Sequence, residues 1–180
     1  MKILAISGSL RSKSHNTALL QTAMRVAPVD ITIEVYTDLG HLPLINPDLE
    51  TILPPIVAIL RSKLMESDAV LIATPEYAHG ITGSLKNLLD WMVSCEAFVN
   101  KPVGLFNTSP RAVHAQASLR EVISVMSALI VTEASVTLPI LGSKLNEKEM
   151  IYDPTITTML IKALSALQLF TIQQNLEIKI

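Results

Sequence analysis

Cysteine is almost absent from this sequence: Cys95 stands alone. No internal disulfide can form, which fits a cytoplasmic location. A cysteine-based metal centre is excluded as well, and His15, His41, His79 and His114 are too scattered for ligand spacing. No metal site is expected. The formal net charge is only −2. That leaves no basic footprint for nucleic acid and excludes a disordered acidic chain. Glycine is also scarce. Gly8 is the only one before Gly40, so no Gly-x-Gly-x-x-Gly turn exists. Lys13-Ser14 resembles the end of a P-loop, but Ser12 occupies the place of its glycine. The N-terminus runs directly into an apolar strand, which predicts no secretion signal. No charge-free apolar run is expected to span a membrane.

What is present is concentrated in the first seventeen residues. Lys2 to Ile6 read as a buried strand. Ser7 to His15 are small, polar or basic, and Asn16 or Thr17 is expected to cap a helix starting at the apolar Ala18, Leu19 and Leu20. A helix N-terminus carries unpaired N–H groups and a partial positive charge. Ser9, Ser14 and Thr17 add hydroxyls, Asn16 an amide and Arg11 a guanidinium. So many donors at one point suit a phosphate group. A plain serine-rich turn is the competing reading.

Farther along, strands are predicted at Ile31–Tyr36, Asp68–Thr74, Pro102–Asn107 and Ile130–Leu138. Helices are predicted from Pro54-Pro55 to about Ser67, Ser84 to Glu96, Gln116 to Leu129 and Thr155 to Gln174. Thr37–Thr51 is expected to be a long loop, and Pro139–Pro154 an irregular polar link. Strands alternating with helices over 180 residues predict one α/β domain, 1–180. Its five-stranded parallel sheet is doubly wound, with helices on both faces and strand order 2-1-3-4-5. Ligands of such sheets sit beyond the C-terminal strand ends near the switch point. The loops after Ser7, Thr74 and Asn107 meet there.

The second of these loops runs Pro75-Glu76-Tyr77-Ala78-His79-Gly80. Tyr77 offers a flat face, and Gly80 and Gly83 permit close approach of backbone. A phosphate at the first loop and a flat ring at the second is the layout for a mononucleotide.

Gly8-Ser9-Leu10-Arg11, Ser14-x-Asn16-Thr17, Pro75-Glu76-Tyr77 and Gly83-Ser84-Leu85-Lys86-Asn87-Leu88-Leu89-Asp90-Trp91 resemble the motifs of the NADPH-dependent FMN reductases, a flavodoxin-like family. The resemblance implies that Ser9, Arg11, Ser14, Asn16 and Thr17 hold the FMN phosphate. It implies that Pro75, Glu76, Tyr77, Ala78, His79 and Gly80 run along the isoalloxazine ring. The third loop, with Ser109 and Arg111, is expected to contact the flavin or the phosphates of NAD(P)H. The implied activity is transfer of hydride from NAD(P)H through FMN to a quinone, flavin, azo compound or metal ion. A flavodoxin-type carrier and a flavin-binding regulatory subunit are the alternatives. The sequence departs from the family at Ala78, where asparagine is common, at Thr82, where proline is usual, and in the third loop, which lacks a Gly-Gly pair.

Further expectations concern assembly and single residues. The chain is 49% hydrophobic, which suggests apolar surface buried between subunits. A homodimer or homotetramer is expected, with Trp91 and the apolar loop Thr37–Thr51 laid against a neighbouring subunit. Glu76 and His79 either donate protons or form a solvated pair. Cys95 is expected to be packed, and His114 to sit at a helix start.

Overall fold

Alternation along the first strand places the core. In the computed structural model, which describes residues 1–143 and 145–177, β1 (Lys2–Ser7) lies inside the sheet. Lys144, in the predicted link, and residues 178–180 lie outside the described residues. β1 pairs in parallel with β2 (Thr32–Tyr36) on one side and β3 (Ala69–Ala73) on the other. β3 pairs with β4 (Pro102–Asn107), and β4 with β5 (Leu129–Ile130). The order is β2-β1-β3-β4-β5, as expected. Every residue of β3 and β4 is buried, the mark of parallel strands covered on both faces.

Successive side chains on a strand face opposite ways. Ile3 and Ala5 join Leu71 and Phe106 under α1 (His15–Val26), α5 (Glu147–Tyr152) and α6 (Pro154–Glu177). Leu4 and Ile6 join Val70 and Ile72 under α2 (Pro55–Glu66), α3 (Gly83–Met92) and α4 (Val113–Val125). Each fully buried aliphatic side chain in these layers contributes roughly 1.5–3 kcal/mol.

The fifth strand differs from its prediction. Instead of one strand over Ile130–Leu138, two short pieces, β5 and β6 (Val136–Thr137), both pair with β4. Between them the backbone makes a helical turn at Thr132–Ala134. Ser135 Oγ donates to Val131 O at 3.0 Å and accepts from Leu105 N at 3.2 Å, substituting for a ladder bond. The turn carries Ala134 over Gly104, where a Cβ would lie 2.9 Å from Ala134 O. A β-branched, apolar run did not reveal that excursion.

Helix ends also shift. Ser14, not Asn16 or Thr17, is the N-cap of α1: its Oγ accepts from Thr17 N at 3.3 Å. α3 stops at Met92, and α4 starts at Val113. The predicted irregular link contains α5, started by a capping box in which Asn146 and Glu149 satisfy each other's backbone amides. α6 is long and apolar enough by length and composition to cross a membrane, although Lys162 means that it is not free of charge. Here it packs on the sheet through Ile156, Leu160, Leu164 and Leu167.

The loop 37–51 overturns the expected use of Trp91. It folds onto its own chain, with Leu39 and Leu42 buried and Trp91 fully enclosed. Trp91 Nε1 donates to Pro43 O at 2.8 Å, and Asn87 Nδ2 to the same oxygen at 2.9 Å. Asn87 Oδ1 in turn accepts from Ile45 N at 2.8 Å. The enclosed site covers the large ring and gives its one polar atom a partner. Cys95 is half-buried, its Sγ against Met92 O, as expected of a packed thiol.

Candidate functional site

The first loop is held by its own hydroxyls. Ser9 N donates to Ser7 Oγ at 3.3 Å, and Arg11 N to Ser9 Oγ at 3.4 Å. Ser7 Oγ also meets Thr17 Oγ1 at 2.8 Å. Thr17 is thus engaged in bracing the turn and does not line the cleft described below. Gly8 N extends the ladder to Ala73 O at 2.8 Å. A Cβ at Gly8 would lie 2.3 Å from Thr74 Oγ1, so only glycine allows the first two loops to approach this closely. Thr82 ties them further. Its Oγ1 donates to Gly8 O at 2.6 Å and accepts from Leu85 N at 3.3 Å, capping α3. The departure from proline at Thr82 therefore has a structural use.

The second loop makes a tight reversal. Tyr77 and Gly80 exchange two backbone hydrogen bonds of 3.0 Å, with Ala78 and His79 at φ 48° and 59°. Such a two-residue turn requires positive φ at both central positions, normally filled by asparagine or glycine. Two contacts hold it to the third loop. Glu76 Oε2 accepts from Ala115 N at 2.8 Å, and the His79 and His114 rings stack with centroids 4.2 Å apart. In the third loop, Asn107 Oδ1 accepts from Ser109 N at 3.0 Å and Ser109 Oγ from Arg111 N at 3.3 Å. Thr108 Oγ1 donates to Asn16 Oδ1 at 3.3 Å, joining the third loop to the first.

The three loops enclose a cleft of about 320 Å³ at the C-terminal ends of β1, β3 and β4, within the range of small-molecule sites. Ser9, Arg11, Ser14 and Asn16 line one side, Pro75, Glu76 and Tyr77 another, and Ser109 and Arg111 a third. Ala78, His79 and Gly80 form the tip of the reversal and lie outside this lining. The sequence reading missed His15, Thr74, Asn107, Thr108, Ala112 and Leu141. Thr74 and Asn107 could have been found, since both stand at strand ends that feed the site. Leu141 could not, because it arrives from beyond β6.

The donor set fits a nucleotide phosphate. The helix-end amides of His15 and Asn16 have no intrahelical acceptor, and Arg11 brings charge to the same rim. Neither Arg11 nor Arg111 is in an ion pair among the described residues. The opposite walls, Pro75–Tyr77 and Ser109–Ala112, leave a slot suited to a flat heterocycle.

Comparison with known proteins agrees with this geometry. The family model for NADPH-dependent FMN reductase matches residues 1–141. An NAD(P)H-dependent FMN reductase of Pseudomonas aeruginosa is 32% identical over 176 residues, spanning 94% of this chain and 95% of that protein. A 2-hydroxy-1,4-benzoquinone reductase of Burkholderia is 31% identical over 139 residues, 74% of this chain and 75% of that protein. Among solved structures, the flavoenzyme NAD(P)H:(acceptor) oxidoreductase FerB of Paracoccus denitrificans shares the fold. Its TM-score is 0.78 at 23% identity, with 93% of this chain and 97% of that one covered. Motifs, fold and matched length converge: this chain belongs to the NADPH-dependent FMN reductase family, oxidoreductases working with FMN and NAD(P)H.

Proposed function

We propose that the three-loop cleft binds FMN and that the protein passes reducing equivalents from NAD(P)H to a quinone. The observation that carries this is the convergence, on one cleft, of a helix N-terminus with Ser9 and Arg11 and a facing slot between Pro75–Tyr77 and Ser109–Ala112. Bound FMN supplies the hydride chemistry. The chain supplies binding and orientation. Arg11, Ser9 and the first amides of α1 hold the phosphate. Pro75 and Tyr77 line the ring, and Ser109 and Arg111 close the other side. Tyr77 is 53% exposed, leaving an aromatic surface beside the cleft for a flat acceptor. No side-chain nucleophile is needed. Support for a quinone as acceptor comes from the relatives described as quinone reductases.

The same reading includes a homodimer. Leu44, Ile52 and Val93 are 81%, 83% and 69% exposed around the loop that covers α3, and symmetric pairing would cover them. A cytoplasmic location is supported by the lone, unpaired Cys95.

The test is anaerobic mixing with FMN and NADPH, followed by an acceptor panel. Bleaching of the flavin and reoxidation by benzoquinone faster than by azo dye, chromate or free flavin is expected. A flavin that stays oxidised with NADPH and NADH would instead indicate an electron carrier or a regulatory subunit.

A further inference from the structure

Helix α4 begins without a cap of its own. Its N-cap position is Ala112, which has no side-chain acceptor, and its first turn contains no acidic residue. The missing acceptor comes from across the cleft. Glu76, on the loop after β3, accepts from Ala115 N at 2.8 Å. A carboxylate there satisfies an otherwise open amide and meets the positive end of the helix dipole. The stack of His79 on His114 closes the same joint three residues farther along the loop. Ala78, between these two contacts, and His79 itself are both non-glycine residues in the left-handed region. Such a backbone persists only where its surroundings hold it.

We infer that Glu76 is a positioning residue: by capping α4 from the opposite wall, it fixes the width of the slot between Pro75–Tyr77 and Ser109–Ala112. This rests on reading the cleft as the FMN site. Glu76 neighbours the ligand slot, yet one of its oxygens is committed as an acceptor to the helix. Its work is to set a distance rather than to deliver a proton. The joint explains how a loop without the usual asparagine at position 78 keeps one conformation.

Two substitutions separate the possibilities. Glu76→Gln keeps an acceptor oxygen; Glu76→Ala removes it. In the apoprotein, amide hydrogen exchange over residues 113–116 reports the cap without any flavin. Glu76→Ala should exchange about tenfold faster there, and Glu76→Gln within about threefold of the parent protein, the scale of a lost or weakened cap. FMN titration should follow the same order, with Glu76→Ala about tenfold weaker and Glu76→Gln close to the parent. The pH profile of NADPH-driven benzoquinone reduction should keep its shape in Glu76→Gln. Unchanged exchange in Glu76→Ala overturns the cap. A Glu76→Gln protein that binds FMN as poorly as Glu76→Ala, or that loses a limb of its pH profile, overturns the positioning role in favour of a charge or acid role. If Glu76→Ala does not fold, the Glu76→Gln exchange, affinity and pH profile decide. If the parent protein binds no FMN, the reading of the cleft fails while the exchange measurement still judges the cap.

Discussion

Trp91 and Pro43 are joined by an indole-to-carbonyl hydrogen bond of 2.8 Å, inside one chain. That contact turns a residue suited to an interface into a fastener for the loop over α3. Trp91→Phe removes the donor but keeps most of the ring. It should lower unfolding stability by about 0.5–1.5 kcal/mol, the net scale of one hydrogen bond, because Pro43 O keeps Asn87 Nδ2 as a donor. Denaturant melts measure this, and light scattering should find the oligomeric state unchanged. A dissociated Trp91→Phe protein would return Trp91 to the interface.

Arg11 lines the cleft beside Ser9 and Ser14, without a carboxylate partner among the described residues. Arg11→Ala should weaken FMN binding by roughly 1.5–3 kcal/mol, as for a charge-assisted hydrogen bond. The melting temperature of the apoprotein should not move, because the side chain is exposed. Flavin fluorescence titration checks the first point and calorimetry the second.

Gly8 leaves no room for a side chain against Thr74. Gly8→Ala should cost about 1–3 kcal/mol of stability through overpacking. It should also weaken FMN binding, since the first loop must move to relieve the clash. Pairing Gly8→Ala with Thr74→Ser, which keeps the near hydroxyl, should not restore stability. Pairing it with Thr74→Ala should restore part of it. A double-mutant cycle in urea tests both.

The Glu50 carboxyl accepts from Ser94 Oγ at 2.7 Å and pairs with Arg61 at 3.0 Å. The Ser94 hydrogen bond first, and then Arg61, hold its pKa below the usual carboxylate range. The folded value therefore lies under the unfolded one. Glu50 contributes stability above the unfolded value of about 4.3, and that contribution is lost as pH falls through the folded value. Glu50→Gln should flatten this part of the stability curve on the acid side. Equilibrium unfolding between neutral and acid pH, parent against variant, is the measurement.

How much was legible in advance depended on range. β4 was found to the residue because a proline start, an unbroken apolar run and a turn all lie within Pro102–Asn107. The capping box of α5 was equally local, at Asn146 and Glu149, and was overlooked in a polar segment. The break between β5 and β6 was not legible, because it depends on Ala134 crossing Gly104 and on Ser135 meeting Leu105. Nothing in the run from 130 to 138 encodes those neighbours.

The same division holds for the site. By itself the sequence determined the alternation of strands and helices, the donor-rich loop at Ser9–Asn16 and the turn-forming loop at Pro75–Gly80. These follow from backbone preference and side-chain type, which act within a few residues. Only the tertiary structure decided which of these side chains meet one another. It engaged Thr17 with Ser7, enclosed Trp91 beneath Pro43 and bound Glu76 to α4. Each partner lies ten or more residues away, and a hydrogen bond at that separation exists only once the sheet has brought the chain ends of its strands together.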